Sequence, residues 1–381
     1  MPIGKYIYGI INSNTHESVG PYGISACPEC SDSSGISSGS RRVTTKDNFI
    51  RDKEAHFIPY HDIAAVVVDS EIVDYTHMFK DALARGLVEH QKVIERIMSI
   101  GYSIIPMRLG TFAMNEEEVK DILNKGYVLI KEIIPKISDK IEIDVVATWS
   151  DFTLVIKEAG EEKEIKDYKE KLLSSPKGIT VDDQMKIGFM LKKALDEKRE
   201  KYALKIQDIL KNVSFDYRQH ELMDDKMVAN IAFLVDKSRE KEFYAKVEEL
   251  NIEFAEKLNF RCVGPLPAYS FFTMEIKKMQ FNDVNLARKR LGILEDCSSK
   301  DDIKKAFHRQ VFIFHPDKNP DKPGIEKEYD EIMKSYNILL VYAQACEQVG
   351  QGNLIFNEDE FKKNAVLVKV REDISYGAKR T

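Results

Sequence analysis

The sequence predicts an α+β protein: two mixed domains of strands and helices, then a purely helical hairpin. Three observations carry this. Short β-branched and aromatic runs alternate with helical periodicities as far as Ile276, the order of elements changes near the middle, and after Lys278 the pattern is helical until about Gln348. At 381 residues the chain exceeds what one hydrophobic core usually organises, so two or three domains are expected.

The first apolar run, Tyr6 to Ile11, is rich in aromatic and β-branched residues and reads as a strand. Residues 12–56 include Gly-Pro-Tyr-Gly and a long Ser/Gly-rich stretch, which cannot bury a core and reads as a mobile loop. Ile63 to Val68 is a second strand. Ala82 to Met98 has helical spacing, Ile104 to Leu109 is a strand closed by Gly110-Thr111, and Val119 to Ile134 is a helix that Pro135 ends. Ile141 to Thr148 has strong β preference. This order predicts one sheet with helices on a single face, a first domain over 1–149.

The middle reads as helices at Lys163–Leu173 and Asp182–Leu210, strands at Val213–His220 and Met227–Val235, and a helix at Arg239–Leu258. Two strands follow, Asn259–Val263 and Tyr269–Ile276, split by Gly264-Pro265-Leu266-Pro267. That order is compatible with a second, ferredoxin-like α+β domain over 150–278. The helical region spans 283–348, and 349–381 reads as a tail with one strand candidate, Ala365 to Val370.

Composition excludes several classes. Hydrophobic residues make up 43% and charged residues 31%, which fits a globular protein and not a disordered one. A net charge of −6 argues against a global grip on nucleic acid or anionic lipid, so neither nucleic acid nor membrane is expected as a partner. No stretch is apolar enough to span a bilayer, and the N-terminal run lacks the plan of a signal peptide. Five cysteines in so long a chain make no disulfide framework, and the chain reads as cytoplasmic.

The strongest motif is His315-Pro316-Asp317. Alone it is a loop with a Pro-fixed turn. Upstream, Leu291-Gly292-Ile293 ends a short helix, and Ser299 stands three residues before Asp302 as in a capping box. In the next helix Ile303, Phe307 and Val311 recur every four residues. Lys304, Lys305, His308 and Arg309 fall on other faces and make a local basic surface. Downstream, Tyr329, Ile332, Met333, Tyr336, Leu339 and Leu340 repeat with the same period. Two helices with matching stripes and a Pro-containing loop make an antiparallel hairpin.

From Leu291 to about Ala345 the chain resembles a J domain of the DnaJ type, most closely at Asp301–Phe307 and His315–Pro320. The resemblance implies that His315, Pro316 and Asp317 contact the ATPase domain of a DnaK-type chaperone and promote ATP hydrolysis there. Lys304, Lys305, His308 and Arg309 would dock on an acidic patch of that partner. Two positions depart from the family: Ile313 stands where a basic residue is common, and Gln310 where an apolar one is. No Gly/Phe-rich linker and no repeated CxxC module follows, and an inert hairpin is the bland reading of the same residues.

Residues 1 to 276 resemble the gas vesicle accessory proteins GvpF and GvpL. The likeness rests on Tyr6–Ile10, Asp62–Val67, His90–Glu95, Ile105–Thr111, Val228–Val235 and Gly264–Phe271, six blocks in the family's order. It implies two α+β domains of ferredoxin-like character and a role in building gas vesicles, with the very hydrophobic shell protein and other accessory proteins as partners. Together the resemblances imply a gas vesicle assembly factor that doubles as a J-domain co-chaperone, located in the cytoplasm on gas vesicles. A general co-chaperone for unrelated clients and a ligand-binding regulatory module are the competing readings.

Cys27-Pro28-Glu29-Cys30 has the spacing of half a zinc site, but a closed site needs four ligands and no second CxxC exists, so it reads first as a plain loop. Arg108 alternates opposite Met107 and Leu109; it would anchor a client carboxylate or, the favoured reading, satisfy buried carbonyls or pair with an internal acid. The mixed charges of the helix over 182–210 read as a solvated face. There is no Gly-rich phosphate loop, HExxH or nucleophile elbow, so neither an enzyme nor a cofactor is expected.

Overall fold

The computed structural model describes residues 2–13, 55–75, 78–174, 179–295, 298–320 and 322–371. The expected loop over 12–56 and the Cys27/Cys30 pair fall almost entirely, or entirely, outside those residues. The described chain forms two compact units. The first runs up to Pro135 and resumes at Thr273–Arg371; the second is Lys136–Phe272.

The first unit is built on β1 (Ile3–Asn12), β2 (His56–Tyr60), β3 (Ile63–Glu71), α1 (Lys80–Ser99), β4 (Ile104–Pro106), β5 (Phe112–Ala113) and α2 (Glu116–Ile137). Its sheet has the order β2-β3-β1-β4, with β5 also on β1, and every pairing is antiparallel. Beside the bulge between Ile7 and Gly9, a side chain at Gly9 would lie 2.5 Å from Ile104, so only glycine lets β4 approach. Ile63 to Val68 are buried at six consecutive positions. Successive strand residues point to opposite faces, so both faces are covered there, not the single face expected. Pro135 does not end α2, which continues to Ile137. In the last turn the ring costs little, because few further hydrogen bonds depend on it. His90 is buried, its Nδ1 lies 2.7 Å from the Tyr6 hydroxyl, and burial holds its pKa down to about 4.

The second unit comprises β6 (Lys140–Trp149), α3 (Phe152–Gly160), α4 (Lys163–Leu173), α5 (Val181–Lys211), β7 (Asp216–Gln219), β8 (Met227–Asp236), α6 (Glu240–Glu253), β9 (Leu258–Leu266) and the one-turn α7 (Tyr269–Phe272). Its antiparallel sheet has the order β7-β8-β6-β9. The strand at 141–148, read into the first domain, is the centre of this second sheet. Local sequence marks a strand, but its partners on β8 and β9 are about 80 to 125 residues away. Helix α5 opens on a Thr180–Asp183 capping box and buries only Ala194, Ile206, Gln207 and Leu210 along its 31 residues. The strand read at Tyr269–Ile276 is split: α7 closes the second unit, and the following residues return to the first.

That return is β10 (Met274–Lys278). It leads into α8 (Phe281–Leu291), α9 (Lys300–Phe314) and α10 (Ile325–Gln348), then α11 (Glu358–Asn364) and β11 (Val366–Val370). Gly292, at φ +70°, ends α8, and Ser299 and Asp302 form the capping box of α9. Val284, Ala287, Ile303, Ala306, Ile332 and Leu339 make the core between the three helices. Residues 349–371 do not trail away. Leu354, Phe356 and Phe361 complete this core, Leu354 bridges to Ser298, and β11 pairs with β10.

Candidate functional site

The sequence-predicted site residues lie together on α9 and the turn after it. Capping by Ser299 starts α9, and with Ile303 and Ala306 facing the core the residues between them point outward. Lys304, Lys305, His308 and Arg309 are all exposed. Within the described residues none of these four takes part in an ion pair of 4 Å or less. A one-sided positive surface is left open to an acidic partner.

The helix stops at His315 because Pro316 follows and forces extended backbone on the residue before it, at φ −66° and ψ 130°. Pro316–Lys318 then form a single 3-10 turn. His315 Nδ1 accepts the Asp317 N–H at 3.2 Å, which places the proton of the neutral ring on Nε2. The Asp317 side chain is 90% exposed and 3.7 Å from the His315 ring. The motif therefore forms a short turn that offers a carboxylate and a ring N–H to solvent.

Three further residues hold this turn; the sequence placed Tyr329 in the helical stripe and Lys318 and Asn319 in the matching run, without a role for any of them. Asn319 Nδ2 donates to the carbonyls of Ile313 and His315 at 2.9 and 3.1 Å, closing the loop onto the end of α9. The Tyr329 ring meets the His315 ring edge-on at 5.6 Å, fixing it from α10. The Lys318 ammonium sits 3.1 Å from the ring centroid of Phe312, which is itself 68% exposed. The residue after an HPD turn that carries an amide was the available signal for Asn319; the other two depend on tertiary placement.

The two long helices are pinned beneath the turn. Phe307 stacks on Tyr336 with centroids 4.0 Å apart and planes 15° off parallel. Arg290 reaches Glu331 at 2.8 Å, and Lys300 reaches Glu347 at 3.1 Å. Hydrogen bonds from Ser299 hold the Asp302 carboxyl below its ordinary range, as expected for an acid in a first helical turn.

Other candidates lie elsewhere. Arg108 pairs with Glu275 at 3.3 Å, so the internal-acid reading describes its contact, although its side chain is 62% exposed. Cys262 and Cys346 are free thiols. Among the described residues no group of three His, Cys, Asp or Glu side chains is arranged to hold a metal ion, and no helix is long and apolar enough to cross a membrane.

Comparison with known proteins separates the chain into the same two likenesses. A family model described as gas vesicle synthesis protein GvpL/GvpF matches residues 4–273, and a DnaJ domain model matches residues 289–344. Gas vesicle protein F of Nostoc sp. (strain PCC 7120 / SAG 25.82 / UTEX 2576) is 25% identical over 215 residues, 54% of this chain and 87% of that protein. Chaperone protein DnaJ of Salinibacter ruber (strain DSM 13855 / M31) is 43% identical over 49 residues, 13% of this chain and 12% of that protein. The crystal structures of GvpF from Anabaena sp. PCC7120 and from Microcystis aeruginosa superpose with TM-scores of 0.55 and 0.53. Each is 20% identical and covers 71% of this chain, and 98% and 99% of GvpF respectively, a likeness of fold. With one family model spanning well over half its length, the chain belongs to the GvpL/GvpF family of gas vesicle synthesis proteins, and it carries a DnaJ domain near its C-terminal end.

Proposed function

We propose that this protein is a gas vesicle assembly accessory factor that binds the hydrophobic shell protein and, through its DnaJ domain, recruits and stimulates a DnaK-type chaperone. The observation that supports the second half is the His315-Pro316-Asp317 turn, with Asp317 exposed, at the end of a helix whose Lys304, Lys305, His308 and Arg309 are exposed and make no ion pair of 4 Å or less among the described residues. The basic row steers an acidic docking face into register, and the turn then acts on the partner's ATPase. The protein needs no cofactor or catalytic group of its own, because the reaction takes place on the chaperone.

The first half rests on family membership and on a physical need. A subunit with a large apolar face aggregates before assembly. A protein that holds such a client and also recruits the ATPase puts both at high effective concentration. The site of action is then the cytoplasm, at growing vesicles, alongside other accessory proteins.

The deciding measurement is ATP turnover by the host's DnaK-type chaperone with this protein added. Wild type raises turnover, and His315→Gln returns it to the chaperone's basal rate. Equal turnover with both proteins removes the co-chaperone reading. Capture of the shell protein by the immobilised chain tests the other half separately, and failure to retain it over unrelated apolar clients leaves only a general co-chaperone.

A further inference from the structure

The way the helical hairpin is attached has consequences of its own. Strands β10 and β11 pair from Met274↔Val370 to Lys278↔Val366, and Met279 N–H extends the ladder to the Ala365 carbonyl at 2.8 Å. The chain therefore leaves for α8 and returns from α11 through hydrogen-bonded partners. No free linker stands on either side: α8 begins at Phe281, and α11 ends at Asn364.

The ribbon is in turn fixed to the rest of the first unit. Arg108 N–H donates to the Met274 carbonyl at 2.8 Å, and Met107 bridges Met274. Lys278 donates to the Phe112 carbonyl at 3.0 Å and pairs with Glu118 at 2.6 Å. Val368, fully buried, is held from two sides. Gly126 of α2 lies against it so closely that an added side-chain carbon would come 2.9 Å from Val368 Cγ1. From the hairpin, Gln348 in the last turn of α10 donates its amide to the Val368 carbonyl at 2.6 Å, and its carbonyl accepts the Val368 N–H at 3.0 Å.

We infer that the DnaJ domain is a rigid insertion in the first unit, seated by the β10–β11 ribbon, with Gln348 as its positioning residue. One covalent linker leaves a domain free to rotate, whereas two paired strands with a side-chain clamp remove that freedom. The His315 turn is thereby presented in one orientation relative to the sheet β2-β3-β1-β4. A DnaK-type partner that docks there arrives at a fixed place on the first unit. This placement does not depend on whether the turn is active, so it is separable from the proposed function.

The test is the rotational correlation time of backbone amides in the full chain, measured by NMR relaxation. Amides of α9 in wild type share the correlation time of amides in β1 and β3. A several-fold shorter time for α9 overturns the inference. Gln348→Ala, and independently Gly126→Val, shorten the α9 time and speed amide exchange in β11. Unchanged chemical shifts around Ile303 and Leu339 in these variants verify that the hairpin stays folded. If Gln348→Ala leaves both the α9 time and β11 exchange as in wild type, Gln348 does not position the domain.

Discussion

Glu142 sits at a position where its strand neighbours, Ile141 and Ile143, are also buried, and it is itself only 1% exposed. Burial pushes its carboxyl up to about 8, with the Asp144 carboxylate adding to the effect. The Ser270 N–H and hydroxyl, 2.8 and 2.7 Å from its oxygens, pull the other way. Asp144 is also raised by burial, against the influence of His220. Glu142 therefore holds its proton near neutral pH. An acid whose folded pKa is raised contributes stability that is fully present below its ordinary pKa and disappears as pH rises through the folded one. The second unit therefore loses stability between about pH 5 and pH 8, on the order of a few kcal/mol. Thermal melts across that range show it, and Glu142→Gln flattens the profile and gains most over wild type at the alkaline end. A variant that tracks wild type at every pH excludes a Glu142 carboxyl raised by burial. None of this was legible in the sequence, where the run over 141–148 shows only its β preference. Ser270 and the flanking strands, which bury the two acids, are distant in the chain.

At the scale of elements, the helices with strong local signals were the most legible. Ser299 and Asp302 cap α9 as their spacing predicts, and Ile303 faces the core. Caps and periodicity act within a turn or two, so one sequence carries them. Strand membership is a long-range property, and there the reading went astray. The apolar run at 141–148 is a strand, but its partners are β8 and β9. The run at Tyr269–Ile276 breaks in two because Met274 to Lys278 finds β11, ninety residues on. The contact that joins the two hairpin helices is also tertiary, and it predicts a cost. Phe307→Ala removes the ring stacked on Tyr336 and destabilises the hairpin by about 3 kcal/mol. Hydrogen exchange within α9 reads this directly, and a loss below about 0.5 kcal/mol, the range of a surface substitution, refutes a structural role for the stack. The basic face that includes His308 keeps its charge in that variant, so loss of chaperone stimulation would report packing and not docking.

At the scale of the whole molecule, charge sets the terms of encounter. The chain carries a net charge of −6, so to an acidic partner most of its surface is repulsive. The face of α9 runs against this, since its cations are exposed and make no ion pair of 4 Å or less among the described residues. Attraction over this face competes with the overall repulsion, and each is weakened by salt as the Debye length shortens. For the Lys304→Ala/Lys305→Ala double variant the local attraction falls while the global repulsion stays. Association with the DnaK-type chaperone then slows about ten-fold at low ionic strength, whereas dissociation changes little. The salt dependence also changes sign: wild type associates more slowly as salt is added, and the double variant, left with repulsion, associates faster. Stopped-flow association at several salt concentrations separates the cases. Parallel salt dependences for the two proteins would mean that the α9 face does not meet the partner, even if His315→Gln abolishes stimulation.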